Sequence, residues 1–145
     1  MIQRLQSIFL LLASIAFFLL FALNFATSQK PIAQLLGDQV YNINDNIGLT
    51  IIAVLGGALA LLNIFLFNNR KLQIKLGYII ILICIALPLF AGYLMYSEGA
   101  VFGKGLDISY GVGLAMPILA IVFTILANKF IKKDDKLVRS ADRLR

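Results

Sequence analysis

Four long apolar stretches determine what this chain can fold into. They cover residues 5–26, 47–67, 76–96 and 110–131, and their only charged side chain is Lys129, near the end of the fourth. A helix needs roughly 20 residues to cross the hydrocarbon core of a bilayer, and only a helix satisfies all its backbone hydrogen bonds within the segment. The sequence therefore predicts an all-α membrane protein, in which residues 1–145 form one integral membrane domain with four transmembrane helices.

The cations predict the orientation of these helices. Every Lys and Arg except Lys30 and Lys104 lies before the first stretch, between the second and third, or from Lys129 onward. Under the positive-inside rule, both termini are expected in the cytoplasm. Because short links make consecutive helices antiparallel neighbours, the predicted architecture is an antiparallel four-transmembrane-helix bundle.

The two outer loops contain weaker patterns. Pro31 and Gly37 bracket an apolar segment in the way expected of a short surface helix. The segments "QVYNIND" and "VFGKGLDI", the second with a turn at "GKG", predict a small hairpin or sheet outside the membrane. Four outer carboxylates could form an acid or metal cluster, but solvated loop side chains are the favoured interpretation: Asp38, Asp45, Glu98 and Asp107.

The predicted helices carry little chemistry. The chain has no His and one Cys, Cys84, so it offers neither imidazole ligation of haem nor dithiol exchange. No catalytic, cofactor-binding or metal site is predicted, and no cofactor. The best internal polar groups are enough for interhelical hydrogen bonds and too few for an obvious substrate path: Thr50, Asn63, Thr124 and Asn128. The transporter alternative would need a cavity lined by Asn63, Thr50 or Thr124.

Small residues and prolines mark candidate packing sites. Four-residue spacing of small side chains predicts close helix approach, either within the chain or between two copies. The candidate packing residues are Ala53, Gly56, Gly57, Ala60, Gly111 and Ala115. Pro88 and Pro117 lie inside the third and fourth stretches, and each is a candidate helix kink.

Residues 132–145 form a dense basic tail. It lacks Gly and Pro, so the fourth helix is predicted to continue as a cytoplasmic amphipathic helix, with Leu137 on its apolar face. A topology signal needs only cations, so the acids and the apolar face favour a helix that contacts lipid or a partner. The candidate contact residues of the cytoplasmic side are Arg4, Arg70, Lys71, Lys132, Lys133, Lys136, Leu137, Arg139, Arg143 and Arg145.

Three segments carry a family resemblance: "MIQRLQSIFLLLA", "FNNRKLQIKL" and "LANKFIKKDDKLVRSADRLR". With them the chain resembles an uncharacterised family of four-span membrane proteins of Bacteroidetes, domain of unknown function 4293. The resemblance implies a multi-pass protein of the bacterial inner (cytoplasmic) membrane and brings no catalytic residue, substrate or cofactor. The positions that match as motif residues are Arg4, Asn69, Arg70, Gln73, Lys136, Leu137, Arg139, Ser140, Arg143 and Arg145.

Three function classes remain open. The favoured one is a non-enzymatic accessory or scaffold subunit whose tail contacts a partner, the membrane surface or the bundle's own cytoplasmic turn. The alternative is a small transporter or lipid-handling protein, and an enzyme acting at the outer loops is the least favoured. The expected partners are the lipid bilayer, a membrane or cytoplasmic protein, or a second copy of the chain. Nucleic acid is not expected despite a net charge of +6, because cations in a membrane protein serve topology first.

Overall fold

A computed structural model describes residues 3–28, 38–97 and 108–142. These described residues form four α-helices: α1 (Gln3–Leu19), α2 (Ile47–Phe65), α3 (Arg70–Ser97) and α4 (Ala115–Asp142). They also form three short strands: β1 (Ala26–Ser28), β2 (Val40–Tyr41) and β3 (Ile108–Tyr110). Single turns of 3₁₀ helix, Ile43–Asp45 and Val112–Leu114, precede α2 and α4.

The four helices pack side by side around one core. Each helix contacts the next along the chain, and α4 closes the bundle by packing on α1. A short turn joins α2 to α3 at one end, while the strands lie between the ends of α1 and α3 and the starts of α2 and α4. Consecutive helices are therefore antiparallel. The core is built from buried apolar side chains of every helix, including Leu10, Phe17, Ala53, Leu87 and Ala120.

The outside of the bundle is apolar. Within the described parts of the chain, three segments are long and apolar enough to cross a membrane: Ile47–Phe65, Arg70–Ser97 and Val112–Val138. The apolar part of α1, Leu5–Leu19, is shorter. Large apolar side chains face outward along all four helices; Leu82 and Leu89 of α3, for example, are each 68% exposed. An apolar surface of this extent is unfavourable in water and favourable in lipid. The helices thus indicate a membrane protein.

The first helix ends earlier than predicted. Its regular part stops at Leu19 rather than near residue 26, and tight turns with i to i−3 hydrogen bonds extend it to Ala22. Beyond that point the backbone bonds elsewhere: the Asn24 carbonyl accepts from Gly113 N–H, and the Phe25 carbonyl accepts from Gly111 N–H. Hydropathy did not reveal this change because the segment stays apolar on both sides of it.

The small sheet predicted for the outer segments is present, but its central strand is one that the sequence did not predict. β1 is the middle strand and pairs antiparallel with both β2 and β3, giving the order β2-β1-β3. The prediction assigned the residues of β1 to the end of the first helix or to the loop and expected the two outer segments to pair with each other. The predicted short helix around residues 31–37 and the "GKG" turn lie outside the described residues.

Tyr41 of β2 connects the sheet to helix α3. Its side chain is fully buried, and its hydroxyl donates to the Ala91 carbonyl of α3 at 3.2 Å. Its ring also packs against Phe25, with the centroids 5.6 Å apart. A buried tyrosine gains from its large apolar area only when its hydroxyl finds a partner, and the α3 backbone supplies one.

The small residues of α2 lie against α1. A Cβ added to Gly56 would come within 2.5 Å of Phe17 Cζ, and Ser14 Oγ donates to the Gly57 carbonyl at 3.1 Å. Ala53 and Ala60 are fully buried on the same helix. The absence of side chains at these glycines is thus what allows α1 to approach α2 so closely.

Gly111 and Ala115 do not form the helix-packing pair that the sequence suggested. Gly111 has an extended backbone ahead of the 3₁₀ turn, and a Cβ there would lie 2.8 Å from the backbone carbon of Asn24. Ala115 begins α4 and is exposed. The prediction was wrong because it started the fourth helix at residue 110, where the chain is still in β3.

The two prolines differ in their surroundings. Pro88 lies in the interior of α3, where it removes one helical hydrogen bond. Pro117 lies in the first turn of α4, where its missing N–H has no intrahelical partner to lose. Pro117 is therefore compatible with a regular helix start, and its position gives no support for a kink there.

Candidate functional site

The end of the bundle opposite the sheet brings the α2–α3 turn against α4. The turn contributes Phe67, Asn68, Asn69, Arg70 and Lys71, and α4 contributes Asp134, Asp135 and Val138. We call these eight residues the turn–tail junction. The two segments are far apart in sequence, so this contact is made by the fold.

An ion pair holds the junction together. Arg70 Nη2 lies 3.0 Å from Asp134 Oδ2, and the two side chains are only 19% and 14% exposed. Arg70 Nη1 also donates to the Asp134 main-chain carbonyl at 3.4 Å. The Asp134 Oδ2 atom makes no hydrogen bond within the described residues, so the contact is a charge pair whose expected contribution is that of a surface salt bridge, about 0–1 kcal/mol.

Asn69 places Arg70 at the start of α3. The Asn69 Oδ1 atom accepts from Leu72 N–H at 3.3 Å, and the Asn69 carbonyl accepts from Gln73 N–H at 3.0 Å. The side chain thereby satisfies one of the amide groups that a helix N-terminus leaves without a helical partner. Arg70 is the first residue of the helix and projects toward α4.

An open depression of about 520 Å³ lies over the junction. Lys71 supplies an exposed cation, Asp135 a carboxylate, and Phe67 and Val138 apolar surface that is 50% and 41% exposed. Leu137, beside Val138, is 49% exposed. The depression thus combines side chains of both charges with accessible apolar area.

The predicted contact residues are only partly brought together. Arg70 and Lys71 lie at the junction. Lys133, Lys136 and Leu137 are exposed on the same stretch of α4 but are not part of the junction. Lys132 turns instead toward α3, where its Nζ donates to Tyr78 Oη at 2.6 Å. The remaining members are outside the part of the chain whose side chains are described: Arg4, Arg139, Arg143 and Arg145.

Each helix contributes one buried amide side chain. Gln6, Asn63, Gln73 and Asn128 are at most 5% exposed, and Gln73 Nε2 donates to the Asn63 carbonyl at 3.0 Å. A Cβ on Gly77 would lie 2.5 Å from Asn128 Nδ2, so the Asn128 amide packs directly on the α3 backbone. Within the described residues, both amide atoms of Asn63 and of Asn128 have no hydrogen-bond partner.

Two of these four buried amides were predictable from the sequence. Asn63 and Asn128 were identified as internal polar groups, whereas the burial of Gln6 and Gln73 was missed because both lie near predicted membrane boundaries, where a polar residue is ordinary. The spacing of Gln73 and Gly77, one turn apart on α3, was the available signal. Interhelical amides of this kind contribute polar contacts between membrane helices.

The threonines and the described outer carboxylates bond locally. Thr50 Oγ1 donates to the Ile43 carbonyl at 3.0 Å, and Thr124 Oγ1 donates to the Ala120 carbonyl at 2.7 Å. Asp38 Oδ1 accepts from Val40 N–H at 3.2 Å. These hydroxyl and carboxylate groups serve turns and helices of their own segment, which gives no support to a substrate path or an acid–base pair built from them.

Asp45 is the outer carboxylate with a perturbed environment. Partial loss of solvent raises its pKa above the ordinary value of 3.8, the hydrogen bond from Asn42 N–H lowers it, and the nearby Asp38 charge raises it further. The Asn42 N–H donates to Asp45 Oδ2 at 2.5 Å. In the described part of the chain, no group of three potential metal-ligating side chains is present, and Glu98 and Asp107 fall outside that part.

The comparisons with known proteins give one match. Residues 2–144 match the model of a family described as a domain of unknown function, DUF4293. No curated protein matches the chain. No solved structure matches it either.

Proposed function

The chain belongs to the DUF4293 family, and from its architecture we propose that it is a non-enzymatic four-span protein of the bacterial inner membrane. In this proposal it acts as an accessory subunit. Both termini lie in the cytoplasm, and the turn–tail junction is the surface that contacts a membrane or cytoplasmic protein partner. The Arg70–Asp134 ion pair is the observation that carries the proposal, because it joins the α2–α3 turn to α4 beneath one exposed depression.

The packing of α1 supports a count of four spans. Phe9 stacks on Phe130 with the ring centroids 5.5 Å apart, and farther along α1 Phe17 packs on Gly56 of α2. The helix therefore lies alongside α2 and α4 over much of their length. Its outward Leu11 and Ile15 are 45% and 43% exposed, so α1 enters the same lipid as its neighbours.

The charges support the orientation. Arg70 and Lys71 occupy the first turn of α3, where the helix dipole makes each cation unfavourable by about 0.3–1 kcal/mol, and Lys75 follows in the second turn. Their position is not explained by helix stability. It is explained if this end must remain in the cytoplasm, as the positive-inside rule requires.

Topology can be tested with introduced cysteines. Cys84 is fully buried, and in a Cys84→Ala background Asp38→Cys and Leu137→Cys report on opposite ends. We expect a membrane-impermeant maleimide to label residue 38 in intact spheroplasts and residue 137 only after permeabilisation. An N-terminal tag should also become accessible only after permeabilisation, like residue 137. If the tag and residue 137 were accessible from opposite sides of the membrane, an even number of spans would be contradicted.

Partner contact can be tested by photo-crosslinking in cells. A photoreactive amino acid at Val138, in the junction, should give a defined protein adduct, while the same group at Val122, exposed on the apolar surface, should not. The Val138 adduct should weaken in Asp134→Ala, which releases the junction. Adducts to lipid alone at both positions would contradict the proposed role.

A further inference from the structure

A groove runs between α3 and α4 beside the buried amides. Its volume is about 310 Å³, and its lining is Tyr78 and Ile81 from α3 with Ile125, Asn128, Lys129 and Lys132 from α4. Ile81 and Ile125 make its interior apolar. The groove opens on the outer surface of the bundle, where Ile125 is 50% exposed.

The cations of the groove are gathered at one end. Lys132 Nζ donates to Tyr78 Oη at 2.6 Å and lies 5.2 Å from the centroid of that ring. Lys129 lies one helical turn before Lys132, and both are exposed. None of the described residues in the lining is a carboxylate, so the two ammonium groups create a local positive charge next to an apolar cleft.

Asn128 adds an unused polar group to this lining. It is 5% exposed, and within the described residues its Oδ1 and Nδ2 atoms have no hydrogen-bond partner. A buried amide without partners is unfavourable, so a ligand or a small side-chain rotation that offers it a hydrogen bond would be favoured.

We propose that this groove binds one anionic phospholipid. The acyl chain would pack on Ile81 and Ile125, the phosphate would sit between the Lys129 and Lys132 ammonium groups, and an ester carbonyl would be within reach of the Asn128 amide. The inference rests on the proposed function, which places these helices in a bilayer with this end at the cytoplasmic leaflet. A lipid fits better than free phosphate because the surface next to the cations is apolar.

Native mass spectrometry of the full chain in mild detergent tests the site. We expect dioleoylphosphatidylglycerol to bind more tightly than dioleoylphosphatidylcholine. Attraction to each lysine is worth about fivefold in affinity, so the double variant Lys129→Ala/Lys132→Ala should bind the anionic lipid about 25-fold more weakly. The comparison variant, Lys133→Ala/Lys136→Ala, removes the same charge from exposed positions outside the lining, so it keeps the groove intact and should weaken lipid binding much less than the groove variant.

A charge-neutral variant separates the groove from general attraction. Ile125→Trp should fill the cleft and abolish lipid retention, while wild-type reactivity of the buried Cys84 toward a thiol dye verifies its fold. Glycerol phosphate should not compete at the lipid concentrations used. Equal binding of the two lipids, equal loss in both double variants, or a protein dimer in place of the lipid adduct would overturn the inference. Release of wild-type protein from membranes by alkaline carbonate would instead refute the proposed membrane insertion.

Discussion

The approach of α1 to α2 makes a quantitative prediction at Gly56. A Cβ at this position would lie 2.5 Å from Phe17 Cζ and 2.9 Å from Phe17 Cδ1. Carbon atoms in contact prefer a separation of about 3.5–4.0 Å, so the ring or the helix must retreat by about 1 Å. Phe17 is fully buried in the core and has no free space to enter.

We therefore expect Gly56→Ala to destabilise the protein despite the better helix propensity of Ala. Overpacking of a core costs about 1–3 kcal/mol, which for a chain of this size lowers the unfolding temperature by about 3–10 °C. Two other glycines provide a graded comparison. Gly57 faces Phe18, which is 43% exposed and free to turn, and no atom of the described residues lies within 4 Å of a Cβ added to Gly92.

Cys84 supplies the assay. It is the single cysteine of the chain and is fully buried in α3, so a fluorogenic thiol dye reacts with it only as the bundle opens. The expected order of unfolding temperatures in detergent is Gly92→Ala at or above wild type, then Gly57→Ala, then Gly56→Ala. If Gly56→Ala unfolded at the same temperature as Gly92→Ala, the close packing of α1 on α2 would be refuted.

Three further outcomes are expected from thermal unfolding in detergent, followed by thiol labelling at neutral pH and by circular dichroism where the pH is varied. Arg70→Ala and Asp134→Ala should each lower stability, with a coupling energy of about 1 kcal/mol in the double-mutant cycle; additive effects would mean that the ion pair contributes nothing. Asp45→Asn should be more stable than wild type at neutral pH, because the raised pKa means that folding disfavours the ionised carboxylate. That difference should shrink as the pH falls and vanish below about 3.8, where the carboxyl is protonated in both states; a constant difference would contradict this cause. Gly111→Ala should be more harmful than Gly57→Ala, since its Cβ meets the backbone of Asn24 rather than a movable ring, and equal effects would argue against that contact.

Helix content was predictable because it depends on the length of apolar runs. Four such runs become α1 to α4, and the lack of Gly or Pro after Pro117 predicts the unbroken helix that reaches Asp142. The ends were less predictable. Residues 23–26 continue the apolar run of the first helix, so hydropathy does not mark the end of that helix. The strand β1, which begins at Ala26, is defined only by its pairing with β2 and β3.

The candidate site was predictable in composition but not in contacts. The sequence contains a basic turn and a basic tail with acids that a topology signal does not need. The structure explains Asp134, which pairs with Arg70 across a separation of 64 residues. Periodicity describes one helix at a time, so it does not reveal which residue of another helix lies opposite. The same limit applies to Gln73, whose partner is the Asn63 carbonyl.

The charged residues of the turn–tail junction have two roles that can be tested separately: the ion pair within the junction and the net positive charge of this end of the bundle. Arg70 is partly buried and pairs with Asp134, whereas Lys71 is exposed beside the open depression. Exchanging Arg70 and Asp134 leaves the net charge of this end unchanged, so orientation in the membrane should persist even if the reversed pair fits poorly. Neutralising Lys71 changes the net charge by one while leaving the pair intact. If the first change abolishes partner contact and the second does not, the geometry of the tail, rather than its charge, is what the partner recognises.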